Sequence, residues 1–282
     1  MSAEPRTFLV TGASGGVGPY AARRLLARGD HVVLMARDGD RLRALAGELG
    51  DDSKIAVFAG AAQNPADADA AVALGCERFD KVDGLVALAG AFVVGLPVAL
   101  ADPDAYTGLF EANVLTAAMA SRAVLRRLQG PGSFVYLNSM LVHDPMPSMG
   151  PYVASKAALN AWAAAFSREV KDRGHRVNVI ETRLIDTPKH REQQPGADHS
   201  QWVPAENIAD TIAFLTSEEP GAASMFGGVI QVKGTFTPGP PAGGPPGQSP
   251  PGGAKPPEPP PLSEGGKTGS SPRDVPPIAA QS

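Results

Sequence analysis

The chain has 282 residues, of which 43% are hydrophobic and 19% charged, and its formal net charge is -4 at pH 7. This mild acidity argues against a nucleic-acid partner, and five scattered histidines with one cysteine, Cys76, predict neither a structural metal site nor an internal disulfide. A single cysteine and the absence of an apolar signal core near the first residues lead us to expect a cytoplasmic protein.

Short apolar runs alternate with longer helical patterns from residue 6 to about residue 234. The runs lack clean polar alternation, as expected for strands covered on both faces. Strands are predicted at residues 7–11, 31–36, 54–59, 83–89, 133–138, 176–181 and 228–232, and helices at 16–28, 41–49, 65–76, 103–128, 151–173 and 205–216. This series predicts one α/β domain, residues 1–234, with a doubly wound, seven-stranded parallel sheet of the Rossmann type.

Residues 84–101, with the sequence GLVALAGAFVVGLPVALA, form an uncharged run of 18 residues. That length lies at the lower limit for a helix that spans a membrane. The run contains three glycines and a proline, which favour a strand followed by a loop over one helix. We therefore expect no membrane-spanning segment.

A different composition begins at residue 235. Residues 235–282 hold about half of the chain's 28 prolines, show no apolar periodicity and carry balanced charges. Such a segment buries too little apolar surface to offset the entropy cost of ordering, so we expect a disordered tail with local polyproline II structure. Its PxxP stretches could dock an SH3-like module, although an inert solvated tail is the simpler interpretation.

A glycine-rich turn joins the first predicted strand to the first helix. Its sequence, TGASGGVG at residues 11–18, has the spacing TGxxxGxG. Glycines let a backbone approach a pyrophosphate at a helix N-terminus, whereas a tight turn without a ligand is the alternative. The strand before it and the helix after it favour a dinucleotide site made by Gly12, Ser14, Gly15, Gly16, Val17 and Gly18.

The second predicted strand ends in Ala36, Arg37 and Asp38. An acidic residue at this point binds the ribose 2′-hydroxyl of NAD, whereas an arginine accommodates the 2′-phosphate of NADP. Ala36 occupies the position of the acid and Arg37 lies beside it, so NADP(H) is favoured over NAD(H). Asp38 could instead be that acid, or it could cap the following helix.

Three polar side chains follow the fifth predicted strand. Ser139 ends that strand, and Tyr152 and Lys156 lie four residues apart at the start of a helix. Residues at i and i+4 share a helix face, so the lysine charge is expected to lower the pKa of the tyrosine toward the neutral range. A strand-end serine delivered to the same place can hydrogen-bond the same substrate oxygen.

These motifs, taken in order, resemble those of the short-chain dehydrogenase/reductase family in its single-domain form. The resemblance runs from about residue 6 to 234, and rests on TGASGGVG, Asn113 in FEANV, Ser139 in YLNSM, Tyr152 and Lys156 in YVASK, and Thr187 in LIDTP. It implies an NAD(P)-dependent oxidoreductase that moves a hydride between nicotinamide and a small carbonyl or alcohol substrate. It also implies a homodimer or homotetramer.

The resemblance assigns the roles of the polar residues. Tyr152 is the proton donor or acceptor, Ser139 orients and polarises the carbonyl, and Lys156 also holds the nicotinamide ribose. Asn113 positions a water in the proton relay. Gly90 and Thr187 complete the cofactor site, together with Arg37, Asn113, Tyr152 and Lys156.

Three departures from the family pattern are visible. An NNAG-like sequence is replaced by ALAG at residues 87–90, which keeps Gly90. An aspartate that would contact the adenine is replaced by the apolar pair Ala61 and Ala62. Thr182 and Arg183 replace Pro-Gly after the sixth strand. Arg183 could narrow the pocket or bind an anionic substrate, although a surface position is the simpler interpretation.

Two alternative functions remain open. Residues 186–207, which include Trp202, resemble the substrate loop of quinonoid dihydropteridine reductases, although those enzymes generally lack the serine found here as Ser139. A non-catalytic dinucleotide sensor or scaffold could use the same fold, but it would not need the proton relay. Candidate walls of the substrate pocket are Met140, His143, Met146 and Met149.

Overall fold

The computed structural model describes residues 4–234, and the predicted tail at residues 235–282 lies outside the described residues. The strands in chain order are β1 (Thr7–Thr11), β2 (His31–Ala36), β3 (Ile55–Ala59), β4 (Gly84–Ala87), β5 (Ser133–Ser139), β6 (Arg176–Thr182), β7 (Ile185–Asp186), β8 (Val203–Pro204) and β9 (Val229–Val232). Seven of them form a parallel sheet in the order β3-β2-β1-β4-β5-β6-β9, while β7 and β8 form a separate two-stranded sheet. The predicted seven-stranded parallel sheet is confirmed.

Helices cover both faces of this sheet. They are α1 (Gly18–Arg28), α2 (Gly39–Leu49), α3 (Pro65–Phe79), α4 (Pro103–Phe110), α5 (Thr116–Leu125), α6 (Gly150–Val170), α7 (Pro188–Gln193), α8 (Ala205–Thr216) and α9 (Pro220–Ala223). One core cluster joins the sheet to α1, α2 and α8, and a second joins it to α3, α5 and α6. The sheet is therefore doubly wound, as the β-α series predicts.

Local sequence signals set the ends of several helices. Asp38, Asn64 and Asp102 cap α2, α3 and α4, because each side chain accepts a hydrogen bond from a backbone N–H of the first turn. Gly29 and Gly50 end α1 and α2 in the left-handed conformation that glycine adopts without a steric penalty.

The direction of winding reverses between β1 and β4. From β1 the chain builds outward through β2 to β3, then returns to place β4 on the other side of β1. In open parallel sheets, ligands bind outside the carboxyl ends of the strands at such a switch point. The glycine-rich turn after β1 and the loop after β4 both lie there.

The prediction of one continuous helix at residues 103–128 is wrong, because the helix is interrupted. A π turn at Glu111–Leu115 separates α4 from α5. A π turn inserts one residue into the helical ladder, and hydrophobic periodicity does not mark so small a change. The short elements α7, α9, β7 and β8 were likewise absent from the prediction.

The uncharged segment at residues 84–101 forms β4, an irregular stretch and a 3-10 turn at Val98–Leu100. Among residues 4–234, no helix has the length and apolar character needed to cross a membrane.

Candidate active site

The predicted catalytic side chains meet at the carboxyl edge of the sheet. Ser139 is the last residue of β5, and Tyr152 and Lys156 lie on the first two turns of α6. All three are buried. The Ser139 hydroxyl lies close enough to the Tyr152 phenol to act on its pKa, and the Lys156 ammonium donates a hydrogen bond of 3.2 Å to the carbonyl oxygen of Leu137 on β5.

Tyr152 lies in an apolar setting. It packs with Leu109 and Met149, and the ring of Phe92 meets its ring edge-on with centroids 5.0 Å apart. Burial raises the pKa of Tyr152, and the Ser139 hydroxyl offsets part of that rise. The apolar surroundings therefore hold the phenol in its protonated form.

Burial also acts on Lys156, where it lowers the pKa from 10.5 to about 8. The expected lowering of the Tyr152 pKa by the lysine charge is not found, because desolvation dominates at both groups. The two groups are brought together as predicted, but their mutual electrostatics are not those expected from the helix spacing alone.

Asn113 lies in the π turn and is almost fully buried. Its side-chain oxygen accepts from the backbone N–H of Ala91 at 2.9 Å, and its amide nitrogen donates to the Ala91 carbonyl at 3.1 Å and to the Ser155 hydroxyl at 2.9 Å. Ser155 in turn donates to the Tyr152 carbonyl at 2.7 Å. The Asn113 side chain thus connects the loop after β4 to the first turn of α6, and its role in placing a water stays a prediction.

Gly90 leaves the space in which the Asn113 and Lys156 side chains approach the loop after β4. A Cβ at this position would stand 2.7 Å from the Asn113 side-chain oxygen and 3.6 Å from the Lys156 ammonium nitrogen. A larger residue would therefore displace Asn113. This contact accounts for Gly90 being kept where the preceding asparagines of the family pattern are absent.

The glycine-rich turn is packed too closely for side chains. Gly12 has φ +67°, and a Cβ on it would lie 2.6 Å from the backbone nitrogen of Ala89. A Cβ on Gly18 would overlap the backbone of Ala13. Gly12 therefore lets the turn pack against the loop after β4. Gly18 lets the start of α1 pack against the turn itself.

The N-terminus of α1 has the features of an anion site. Val17 precedes the helix without a capping side chain, and the first turn holds no acidic residue. Gly15 and Gly16 are exposed beside it and Ser14 is half-buried, and within residues 4–234 the buried hydroxyl of Thr11 has no hydrogen-bond partner. Free helix N–H groups and a backbone-lined cradle suit a pyrophosphate, so the predicted residues fit a dinucleotide.

Arg37 and Asp38 differ in their contacts at the end of β2. Asp38 accepts a hydrogen bond of 3.0 Å from the backbone N–H of Arg41 and caps α2, as one of the alternatives predicted. Arg37 is exposed, and among residues 4–234 it has no salt-bridge or hydrogen-bond partner. The guanidinium is therefore available to a ligand.

Thr187 is buried at the start of α7. Its hydroxyl accepts a hydrogen bond of 3.2 Å from the backbone N–H of His190, so it caps the helix. Its methyl carbon would lie 2.8 Å from a Cβ on Gly16. The structure therefore places Thr187 against the glycine-rich turn, as the cofactor prediction requires.

The predicted pocket walls are not all in one place. Met149 packs against Tyr152, whereas Met146 is exposed. Arg183 lies at the surface and forms an ion pair of 3.3 Å with Asp144, in agreement with the simpler interpretation of its position. Trp202 is buried against the ring of His199, so it acts as a packing residue.

Four polar residues near the site were not predicted. They are Asn138, Ser155, Asn160 and Glu181, and their hydrogen bonds link β5, α6 and β6. Asn138 could have been found from its place directly before the strand-end serine. Asn160 could have been found because it lies four residues after Lys156, on the same face of the helix. Glu181 carries a stronger signal, since it is a carboxylate inside a strand that is predicted to be covered on both faces.

Comparison with known proteins agrees with this geometry. The sequence profile described as short chain dehydrogenase matches residues 6–198. The 3-oxoacyl-(acyl-carrier-protein) reductase FabG of Escherichia coli is 29% identical over 244 residues, which cover 83% of this chain and 98% of that protein.

Solved structures give the same result. A short-chain dehydrogenase/reductase from Brucella melitensis superposes with a TM-score of 0.75 at 30% identity, covering 82% of this chain and 96% of the other. A short chain dehydrogenase from Burkholderia cenocepacia in complex with NADP has a TM-score of 0.72 at 27% identity. A 3-ketoacyl-(acyl-carrier-protein) reductase from Brucella melitensis complexed with NADH has a TM-score of 0.71 at 26% identity, and both matches cover 82% of this chain and 98% of the other. This chain belongs to the short-chain dehydrogenase/reductase family.

Proposed function

We propose that this NAD(P)-dependent oxidoreductase reduces a carbonyl substrate with NADPH, and that Tyr152 supplies the proton. The observation that carries the proposal is the meeting of Ser139, Tyr152 and Lys156 at the carboxyl edge of the sheet, beside a glycine-rich turn built for a pyrophosphate. Membership of the family establishes the reaction class, and the residue roles are our proposal.

The nicotinamide group, when bound, supplies the hydride to the carbonyl carbon. Tyr152 donates its phenolic proton to the carbonyl oxygen as the negative charge develops there, and Ser139 donates a hydrogen bond to the same oxygen. Lys156 binds the nicotinamide ribose. In the reverse direction Tyr152 accepts the proton from the alcohol.

The surroundings of Tyr152 favour an apolar substrate. Phe92 contacts its ring, and Leu109, Leu141 and Met149 belong to the same apolar cluster. Such walls exclude water from the reacting oxygen, which strengthens the hydrogen bonds made there. Because the Escherichia coli relative is named a 3-oxoacyl reductase, a 3-oxoacyl thioester is one substrate class to examine.

The test is an assay of NADPH oxidation with a panel of ketones, aldehydes, a 3-oxoacyl thioester and a quinonoid pterin. We expect Tyr152→Phe to reduce kcat by at least about a hundredfold, because it removes the proton donor and little else. Tyr106→Phe, which removes a phenol from the surface of α4, is the matched control and should keep full activity. Equal kcat in wild type and Tyr152→Phe would refute the assigned role.

NADP(H) is favoured over NAD(H) because of Arg37. Its guanidinium is exposed and contacts no partner in the described part of the chain, while the neighbouring Asp38 is engaged as the cap of α2. A 2′-phosphate would meet the free cation rather than the acid. The related structures hold either cofactor, so the preference depends on this end of β2.

We expect Arg37→Asp to weaken NADPH binding by about tenfold or more and to change NADH binding far less. Arg168→Asp makes the same charge change on an exposed position of α6 and should alter neither affinity. Tighter binding of NADH than of NADPH by the wild-type protein would contradict the preference. Titration of each cofactor by protein fluorescence measures both constants.

A further inference from the structure

Glu181 is a buried carboxylate near the carboxyl end of β6, the strand next to the edge of the parallel sheet. It lies on β6, between β5 and β9, and is 0% exposed. A carboxylate in such a place is costly unless it is hydrogen-bonded. Its two oxygens are held by His143 at 2.8 Å, Asn160 at 2.7 Å and Gln231 at 3.5 Å.

One of these contacts leads to Ser139. The Ser139 hydroxyl accepts a hydrogen bond of 3.2 Å from the backbone N–H of Leu141, and so caps the 3-10 turn Met140–Val142. His143 closes that turn, with its backbone N–H donating to the Met140 carbonyl at 3.1 Å. Because the His143 ring is anchored to Glu181, the carboxylate fixes the far end of the turn that begins at Ser139.

The other contact leads to α6. Asn160 lies one helical turn beyond Lys156, and its side-chain oxygen accepts a hydrogen bond of 2.5 Å from the Asn138 amide. That amide also donates to the Lys156 backbone carbonyl at 3.0 Å. Asn138 precedes Ser139 directly, so this arm joins Glu181 to the helix that carries Tyr152 and Lys156.

We propose that Glu181 is a positioning residue, which acts through His143 and Asn160 to hold the Ser139 hydroxyl in register with Tyr152 and Lys156. The proposal depends on the function proposed above. Hydrogen bonds that link residues of different elements favour one arrangement of those elements. Here those elements are β6, which carries Glu181, and β5 and α6, which deliver the reacting groups.

His143 is the residue to change first, because its side chain is 56% exposed and its loss leaves the core intact. We expect His143→Ala to lower kcat by about tenfold, since a small displacement of a catalytic group is costly, and to leave the dissociation constant of NADPH unchanged. His143→Gln keeps a donor near the position of the ring nitrogen and should restore most of kcat. Asp144→Asn, one residue on and at the surface, is the matched control with unchanged kcat.

Glu181→Gln removes the charge and one acceptor and should lower kcat at least as far as His143→Ala. Should this variant fail to fold, the two His143 variants still decide the question. A wild-type kcat in His143→Ala, measured in an enzyme that reduces the panel, would overturn the positioning role while leaving the proposed function intact.

A second readout does not need a substrate. The Ser139 hydroxyl lowers the pKa of the Tyr152 phenol, so a displaced Ser139 should raise that pKa. The phenolate absorbance of Tyr152, obtained by subtracting the titration of the Tyr152→Phe protein, should shift to higher pH in His143→Ala as it does in Ser139→Ala. An unchanged titration in His143→Ala, beside a shifted one in Ser139→Ala, would also refute the proposal, even if no panel member reacts.

Discussion

The burial of Lys156 has a consequence for the stability of the fold as well as for the site. Its ammonium group is enclosed and donates to the Leu137 carbonyl, and burial lowers its pKa to about 8. In the unfolded chain the same group titrates near 10.5. Between these pH values the unfolded state binds more protons than the folded state, so the wild-type protein gains stability as pH rises.

Lys156→Met should therefore stabilise the cofactor-free protein while abolishing activity. A pKa lowered from 10.5 to about 8 corresponds to about 3 kcal/mol, and this is the expected gain in the free energy of unfolding at pH 7. The gain should shrink as pH rises from 8 to 10.5, where the wild-type lysine becomes neutral. Urea denaturation of both proteins at pH 7 and at pH 10 measures it, and a variant that is less stable at pH 7 would contradict the desolvation argument.

The sequence predicts the site residues that are brought together by their spacing along the chain. Tyr152 and Lys156 are four residues apart on one helix, and Ser139 ends the preceding strand, so periodicity and strand order bring them together. His143 and Glu181 are 38 residues apart, and their contact depends on how β6 lies beside β5. Their pairing therefore could not be deduced from spacing, although a carboxylate inside a predicted buried strand indicated a partner.

The turn between β1 and α1 is packed so closely against neighbouring backbone that it leaves no space for added side chains at Gly12 or Gly18. Gly12 has a positive φ, and its α-carbon faces the backbone of Ala89 in the loop after β4. A side chain there would push β4 away from the turn or force the turn out of its left-handed conformation. Either movement opens the cradle in which the helix N–H groups converge.

We expect Gly12→Ala to destabilise the protein by about 2 kcal/mol or more, from left-handed backbone strain together with the backbone clash, and to weaken NADPH binding by over about tenfold. Gly47→Ala is the matched control. Gly47 lies within α2, no described residue stands within 4 Å of an added Cβ, and the change should stabilise the helix by about 0.5–1 kcal/mol. Thermal unfolding and cofactor titration check both variants, and wild-type NADPH affinity in Gly12→Ala would disprove the close-approach argument.

Glycines and prolines made most element boundaries predictable, because they act through the backbone alone. The helix α8 begins and ends at the predicted residues, and α3 begins at the predicted Pro65. The π turn at Glu111–Leu115 was not predictable in this way, since it exists where Asn113 must reach the backbone of Ala91 on another element. Tertiary contacts decided that feature.

Several apolar side chains are exposed on and next to α4. Tyr106 and Phe110 are one helical turn apart and partly exposed, and Leu115 follows in the π turn. Exposed apolar side chains in such a group are typical of association surfaces. They agree with the homodimer or homotetramer that the family resemblance implies, with its contact through the helices that hold Asn113 and Tyr152.

We expect the wild-type protein to run as a dimer or tetramer in light scattering, and Phe110→Glu to shift it toward monomer. A charge on this surface would have to be buried without a partner in the assembly. Phe214→Glu introduces the same charge on α8, on the opposite face of the sheet, and should preserve the assembly. A monomeric wild type would show that this surface has another role.

The last prediction concerns the division of the chain at residue 234. Both core clusters that join helices to the sheet lie within residues 8–232, and the sheet is complete with β9 at Val229–Val232. Residues 235–282 have a composition that buries little apolar surface, so the energy that holds the fold resides upstream. Truncation after Gly234 should therefore keep the melting temperature within about 2 °C and leave kcat/KM unchanged. A loss of several degrees would mean that the proline-rich segment packs on the domain, and the boundary would then have to move toward the C-terminus.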